Sequence, residues 1–171
     1  MNEKFFGIGA VVFTILIIVV AVIVLSGQGT IAGNSTATSS NGVLSAREVT
    51  KDIGTVSMKK GVVPIPYELT NTGNEPVAIN KLYTSCMCTR AQIRGKEGKA
   101  SGWGNMQGHG GGAINPNWTV DAGETITVVA EFDPNAHGPE GVGPIQRVVI
   151  LETTSSKTPR MELGFSGTVI K

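Results

Sequence analysis

The chain has 171 residues, of which 14 are basic and 13 are acidic, so its formal net charge at pH 7 is +1. Such balanced charge gives no electrostatic footprint for nucleic acid or for an anionic membrane surface, and it disfavours both classes of partner. The chain contains only 2 cysteines and 2 histidines, and every hypothesis about a reactive or metal-binding site depends on them.

The N-terminal segment is long and apolar. Residues 5–25 contain no charged side chain, and as a helix they would span roughly 32 Å, enough to cross the hydrocarbon core of a membrane. A cleaved signal peptide has an apolar core of only about 7 to 15 residues, so we expect an uncleaved transmembrane anchor. The preceding residues 1–4 include Lys4, which predicts a cytoplasmic tail and a single span.

A polar segment follows the predicted anchor. Residues 26–43 are rich in Gly, Ser, Thr and Asn, and they have too few large apolar side chains to offset the entropy lost on folding. They are predicted to form a flexible linker. The remaining residues, 44–171, have the size of one ordinary domain. We therefore expect a cell-membrane protein with one folded domain outside the cytoplasm, where thiols can be oxidised.

The predicted domain contains alternating or β-branched runs that are separated by turn residues, and no apolar run has helical spacing. The predicted strands are DIGTVSM (52–58), VVPIPYELT (62–70), VAINKLY (77–83), TITVVAEF (125–132), IQRVVILETT (145–154) and RMELGFSGTVI (160–170). In the last run, Met161, Leu163 and Phe165 share one face. Six or seven such strands predict an all-β fold, an antiparallel immunoglobulin-like β-sandwich of about seven strands.

Two local features give finer expectations. Pro64 and Pro66 cannot donate hydrogen bonds to a neighbouring strand, so their strand should start at a sheet edge or at a crossover between sheets. The sequence NTGNEP at residues 71–76 is a dense turn signal. We expect the strands on either side of this turn to form a hairpin.

Several motifs together carry a resemblance to a known family. They are IGTV from Ile53, YELTNTGNEPVAI from Tyr67, SCMCT from Ser85, DAGETITVVAEFDP from Asp121 and GFSGTVI from Gly164. In this order they resemble a bacterial family of cysteine-containing immunoglobulin-like domains of unknown function, similar in fold to major sperm protein and Hydin-type domains. The resemblance covers nearly all of residues 52–171. It implies a sandwich fold outside the cytoplasm and no established catalytic activity.

The chain departs from the usual motif of that family in one region. The family has glycine between its two cysteines, whereas this chain has Met87 between Cys86 and Cys88. In a regular strand the two Cα atoms would lie roughly 6.6 to 7 Å apart, at the limit for a disulfide, while a kinked strand end could close a small, easily reduced ring. Three interpretations stay open: buried apolar side chains or a structural disulfide, a soft-metal site for Cu(I) or Zn(II), and thiol redox exchange.

The segment 94–118 is a Gly-rich loop insertion, in which eight of the twenty residues from Arg94 to Ala113 are glycine. Loops of this length are usually functional or disordered. Thioether and imidazole groups are ligands that would complete a sulfur site for copper. The candidate metal ligands are therefore Cys86, Cys88, Met106, His109 and His137, with Met87 as a further one. The alternative is a flexible loop whose histidine is solvated.

The sequence offers no arrangement of nucleophile, base and acid. GHGGG at residues 108–112 is superficially similar to an oxyanion-hole loop, but the sequence has no Gly-X-Ser-X-Gly turn that would carry a nucleophile. No glycine cluster follows a strand and opens a helix, as phosphate binding would require. We expect a binding or structural module that is not an enzyme, held at the membrane by residues 5–25, with another envelope protein as a candidate partner. The alternative hypothesis is a copper-binding or thiol-redox envelope protein that uses Cys86 and Cys88.

Overall fold

The computed structural model describes residues 39–108 and 111–171 of the chain. Nine strands form in this part. Their bounds are β1 (Leu44–Ala46), β2 (Thr50–Ser57), β3 (Val63–Asn71), β4 (Val77–Thr84), β5 (Thr89–Arg94), β6 (Trp118–Val120), β7 (Thr125–Phe132), β8 (Gly143–Thr153) and β9 (Arg160–Ile170). Three short 3-10 helices lie between strands, at Met58–Lys60, Lys96–Gly98 and Gly138–Gly141.

The strands form two sheets, one with the order β1-β3-β7-β5 and one with the order β2-β9-β8-β4-β6. The prediction of an all-β sandwich is confirmed. The finer prediction, about seven strands that are all antiparallel, is wrong, because the described residues form nine strands and β2 pairs with β9 in parallel. The extra strands include β1 and β6, each only 3 residues long and too short to show an alternation. Alternation also carries no information about the direction in which two strands pair.

The core lies between the two sheets and is built from side chains that alternate along the strands. In β9, Met161, Leu163 and Phe165 are buried while Glu162 is exposed, as the pattern predicts. The ring of Phe165 meets the ring of Phe132 from the other sheet, with centroids 5.6 Å apart and planes tilted by 60°. The sandwich is therefore stabilised mainly by apolar burial across the interface between the sheets.

A hydrogen bond also connects the sheets through the core. Tyr67 of β3 is fully buried, and its hydroxyl donates to the carbonyl oxygen of Gly164 of β9 at 2.6 Å. Burial raises the pKa of the Tyr67 hydroxyl well above its ordinary value. The group therefore stays protonated and acts as a donor across the physiological pH range.

The turn at residues 71–76 is a crossover between the sheets, so the predicted hairpin is wrong: β3 lies in the first sheet and β4 in the second. The buried side chain of Asn71 accounts for this. Its amide donates to two carbonyls and its oxygen accepts from two backbone N–H groups, which satisfies the turn without a ladder between β3 and β4. The four partners are Glu75 (2.8 Å), Val120 (3.0 Å), Val43 (3.1 Å) and Gly73 (3.1 Å).

The two prolines lie on an open sheet edge, as the sequence predicts. β7 pairs with one edge of β3, and β1 pairs with the opposite edge only at Leu69–Asn71. Within the described residues, no strand lies along that opposite edge at Pro64 and Pro66. The Lys51 ammonium donates to the carbonyl of Pro66 at 2.7 Å. Proline and lysine together leave this edge without a free row of hydrogen-bond donors for another strand.

The Gly-rich insertion forms backbone hydrogen bonds with both sheets of the sandwich. Gly104 exchanges two backbone hydrogen bonds with Ala91 of β5, at 2.8 and 2.9 Å. Ile114 does the same with Leu82 of β4, at 2.9 and 3.0 Å. The insertion therefore contacts one strand from each sheet.

The N-terminal predictions fall mostly outside the described residues. The predicted tail (1–4), the anchor (5–25) and the linker as far as residue 38 are not described. Among residues 39–108 and 111–171, no helix has the length and apolar character needed to cross a membrane. Ser40, four residues before the predicted domain start at Leu44, forms a bridge with Ser155.

Candidate metal centre

The two cysteines lie in a tight turn between β4 and β5, where the chain passes from the second sheet to the first. The backbone N–H of Thr89 donates to the carbonyl of Cys86 at 3.1 Å and closes the turn. The structure thus adopts the kinked geometry rather than the regular strand. Both sulfurs are free thiols. The backbone N–H of Cys88 donates to the sulfur of Cys86 at 3.4 Å, so the turn itself supplies a donor to one thiol.

Two neighbouring strands fix this turn. Ser85 exchanges hydrogen bonds with Val148 of β8, because its N–H donates to the Val148 carbonyl and its hydroxyl accepts from the Val148 N–H, both at 2.9 Å. The N–H of Asp133, directly after β7, donates to the Cys88 carbonyl at 2.8 Å. The positions of the two sulfurs are therefore set by the register of the sheets.

His137 reaches the cysteines from the loop that follows β7. Thr89, the first residue of β5, pairs with Phe132, the last residue of β7, so this loop starts beside Cys88. The imidazole Nε2 of His137 lies 3.3 Å from the sulfur of Cys86, although the two residues are 51 positions apart. Strand pairing thus brings together groups from two different connections.

The loop that carries His137 has its own internal support. The Asp133 carboxylate accepts the N–H of Asn135 at 2.8 Å, and the Asn135 carbonyl accepts the N–H of Gly138 at 2.8 Å. The Asn135 side chain also donates to the carbonyl of Met58, just after β2, at 2.6 Å. These bonds hold the loop on both sides of the histidine.

Cys86, Cys88 and His137 form a cluster in which the three potential ligand atoms lie within 4.8 Å of one another. The cluster has a buried end and an open end: Cys88 is 2% exposed, Cys86 is half-buried and His137 is exposed. Donors bound at about 2.0 to 2.3 Å to a single d¹⁰ ion would lie roughly 4 Å apart in a trigonal arrangement. Two sulfurs and one imidazole at these separations can hold a soft metal ion.

Arg147 of β8 completes the surroundings of the buried thiol. Its Nε donates to the sulfur of Cys88 at 3.0 Å, and one terminal nitrogen donates to the carbonyl of Gln146 at 2.8 Å. Burial, with a further contribution from the Cys86 thiol, raises the pKa of Cys88, while Arg147 and Thr89 act in the opposite direction. Partial burial opposes the charge of Arg147, but its interactions with the two sulfurs outweigh this and raise the pKa of Arg147.

The predicted ligands have different positions in the structure. Cys86, Cys88 and His137 are brought together, whereas Met106 forms a backbone bridge with Thr84, at the end of β4. His109 lies outside the described residues. Met87 is 55% exposed and lines a surface pocket beside Cys88 together with Val62.

Sequence reasoning missed Arg147. The only signal was a single basic residue in the run IQRVVILETT. A charged side chain in such a run usually lies on the outer face of the strand, where it is solvated. Its contact with Cys88 depends on how β8 pairs with β4, which the pattern does not show.

Comparisons with known proteins support the fold class. The sequence model of a family described as "Protein of unknown function (DUF1573)" matches residues 44–105, a range that includes both cysteines and ends before His137. No curated protein matches the chain. A protein of unknown function from Porphyromonas gingivalis W83 has a similar structure, with 15% sequence identity, a TM-score of 0.52, and coverage of 80% of this chain and 50% of that chain. The chain therefore spans half the length of that relative.

Two further solved structures are similar at lower TM-scores. The PapD-like domain 7 of human CEP192 has 15% identity and a TM-score of 0.42, covering 75% of this chain and 85% of that one. The secreted serine protease VesC from Vibrio cholerae has 15% identity and a TM-score of 0.46, covering 74% of this chain and 23% of that one. At such identities structural likeness speaks to the fold alone.

Proposed function

We propose that this chain is a binding module whose ligand is a soft metal ion, Cu(I), held by Cys86, Cys88 and His137. The observation that carries the proposal is the convergence of two thiols and one imidazole within 4.8 Å, with the Cys86 sulfur 3.3 Å from His137 Nε2. Thiolate and imidazole are the ligand types that soft and borderline metals prefer. The ligands come from two connections that the sheets hold side by side.

The number of donors favours copper over zinc. Structural zinc sites are almost always four-coordinate, and their ligands usually follow a recognisable spacing. Within the described residues, the cluster offers three His, Cys, Asp or Glu donors. Soft thiolates suit both Cu(I) and Zn(II), but three donors are one fewer than a structural zinc site uses. Copper is therefore the ion that this donor set fits best.

The proposal includes the setting of the module. Residues 5–25 anchor the chain in the membrane, and residues 44–171 lie outside the cytoplasm and bind without catalysis. The apolar run and the polar segment after it support this placement. The partner would be another envelope protein that exchanges the ion, since His137 and the half-buried Cys86 are the ligands that solvent can reach.

The proposal is tested by anaerobic Cu(I) titration of the reduced full-length chain in detergent, against a chelator that competes for Cu(I). We expect one ion per chain, and a loss of affinity of at least about tenfold in Cys86→Ser, Cys88→Ser and His137→Ala. His109→Ala is the matched control, because it removes the other histidine of the chain. Met106→Leu tests the remaining predicted ligand. Equal affinities for the wild type and all three cluster variants would exclude this site.

Thiol redox exchange is the second candidate function. It is favoured by the closeness of the two free sulfurs and by His137 beside Cys86, since a neighbouring imidazole can activate a thiol. Intact mass measurement after purification with and without reductant separates the candidates. A copper-loaded chain has gained the mass of the ion less that of the thiol protons it displaces, whereas a disulfide form has lost two hydrogens. A chain found only as the disulfide, and unable to take up Cu(I) after reduction, would favour redox exchange.

A further inference from the structure

Among residues 39–108 and 111–171, Arg147 is the one charged group in hydrogen-bond contact with the buried sulfur. Its Nε donates to Cys88 at 3.0 Å, and Cys88 is 2% exposed. The four ion pairs between the described residues join Lys51 to Glu48, Lys81 to Glu152, Arg90 to Glu131 and Arg160 to Glu162. Within this part of the chain, Arg147 has no carboxylate partner. Its positive charge is therefore left to balance the sulfur pair.

The position of Arg147 is fixed by the strand that carries it. Arg147 pairs with Phe165 of β9, and the next residue, Val148, exchanges two hydrogen bonds with Ser85. Ser85 directly precedes Cys86. The guanidinium is thus held beside the cysteine turn by backbone contacts that do not involve the sulfurs.

Other nearby charges do not cancel the charge of Arg147. Arg90 and Glu131 line the pocket beside Cys88, but they pair with each other at 2.7 Å. Asp133 lines the same pocket, yet its carboxylate holds the N–H of Asn135 and lies outside the set of ligand atoms that are within 4.8 Å of one another. The charge nearest the sulfurs is consequently that of Arg147.

We propose that Arg147 determines which metal charge the site accepts, an inference that rests on the proposed metal site. Two thiolates, a neutral imidazole and one guanidinium carry a net charge of minus one. A monovalent soft cation makes this group neutral, whereas a divalent cation leaves one uncompensated positive charge. An unbalanced charge beside a buried sulfur is unfavourable. Arg147 therefore favours Cu(I) over Zn(II).

This inference predicts changes of opposite sign for the two metals. In Arg147→Gln the ligand set carries a net charge of minus two, so a divalent ion rather than a monovalent one makes it neutral. We expect Cu(I) affinity to fall about 10- to 100-fold, which corresponds to the loss of one hydrogen bond to a charged group. Zn(II) affinity should stay unchanged or rise. A residue that merely supports the fold would weaken the binding of both metals together.

The test measures Cu(I) and Zn(II) affinities of the full-length chain in anaerobic chelator competitions. Arg147→Lys keeps the charge and should retain the preference for Cu(I). Arg160→Gln is the matched control, because it removes one positive charge from β9. In the strand register Arg160 lies opposite Glu152, which is five positions along β8 from Arg147. Thermal denaturation of the metal-free variants reports on folding separately.

Each outcome decides between the two claims. A Cu(I)-to-Zn(II) affinity ratio that falls in Arg147→Gln but not in Arg160→Gln supports the inference. A wild type that binds Cu(I), with a ratio that Arg147→Gln leaves unchanged, overturns the inference and leaves the proposed function standing. A wild type that binds no Cu(I) overturns both.

Discussion

Tyr67 connects the two sheets through a buried polar group. Its hydroxyl is buried and donates to the Gly164 carbonyl at 2.6 Å. Tyr67→Phe keeps the ring but leaves that carbonyl without this donor. We expect the free energy of unfolding to fall by about 1 to 2 kcal/mol. Chemical denaturation of both chains measures the difference.

The chain supplies a matched control for this change. Tyr83, the only other tyrosine, is half-buried, and its hydroxyl contacts Glu152 and Arg160, both at 3.0 Å. Because solvent can replace these contacts, Tyr83→Phe should change the free energy of unfolding by less than about 1 kcal/mol. Equal losses in the two variants would show that the hydroxyl between the sheets has no special role.

Glu75 gives a pH dependence that can be assigned to one contact. Its carboxylate accepts the backbone N–H of Asn41 at 2.7 Å and the side-chain amide of Asn41 at 3.2 Å. These bonds hold the pKa of Glu75 below its ordinary value near 4.5. A carboxyl whose pKa is lowered by folding stabilises the fold above its ordinary pKa and loses that contribution as the pH falls through the folded value.

We therefore expect the stability difference between the wild type and Glu75→Gln to be present at neutral pH and to disappear in acid. Urea denaturation at several pH values between about 6 and 3 measures it. Asn41→Ala removes only the side-chain bond and should show part of the effect. A difference that persists unchanged at the lowest pH would contradict the assignment to the carboxylate.

The sequence identifies the residues that could form the site, but it does not show which of them come together. Two sulfurs separated by one residue and a few loop histidines and methionines define the chemistry. Which of the loop residues faces the sulfurs depends on contacts between distant segments. His137 was therefore one candidate among several, and Arg147 was not a candidate.

At the scale of elements, Gly104 allows the Gly-rich insertion to pack closely against the strands. Its backbone exchanges hydrogen bonds with Ala91 of β5, and a Cβ at this position would collide with the carbonyl oxygen of Leu82 of β4. We expect Gly104→Ala to lower the free energy of unfolding by about 1 to 3 kcal/mol, because the insertion must move away from one of the two strands. Chemical denaturation again measures the change.

Gly102→Ala is the control for this prediction. A Cβ at Gly102 would make an ordinary contact of 3.6 Å with the Ile114 side chain. This substitution should leave stability within about 0.5 kcal/mol of the wild type. If both alanine variants are as stable as the wild type, the insertion is not an integral part of the sandwich.

Strands with a long apolar alternation were predicted well. The predicted bounds of β7 and β9 agree with the structure, since each has a continuous run bounded by turn residues. The hairpin at residues 71–76 was wrong because the side chain of Asn71 satisfies the turn internally, and a turn signal alone does not say whether the chain stays in one sheet. β5, with the sequence TRAQIR, was missed because its buried face carries only one large apolar side chain, Ile93, beside Thr89 and Ala91.

At the scale of the whole molecule, the candidate site is a product of the topology. The turn that holds Cys86 and Cys88 and the loop that holds His137 meet because Thr89 and Phe132 are paired at the ends of β5 and β7. β5 is one of the strands that the sequence pattern did not reveal. The sequence therefore suggests which residues could form the site, but only the fold shows their geometry.

The central claim is that two sulfurs and one imidazole bind one Cu(I) ion at the end of the sandwich. X-ray absorption spectroscopy of the full-length chain, loaded anaerobically with one equivalent of Cu(I), tests the ligand set directly. We predict a first shell of two sulfurs and one nitrogen at about 2.0 to 2.3 Å, and the loss of the nitrogen in His137→Ala but not in His109→Ala. A first shell without the two sulfurs, or a protein that retains no copper, would contradict the account.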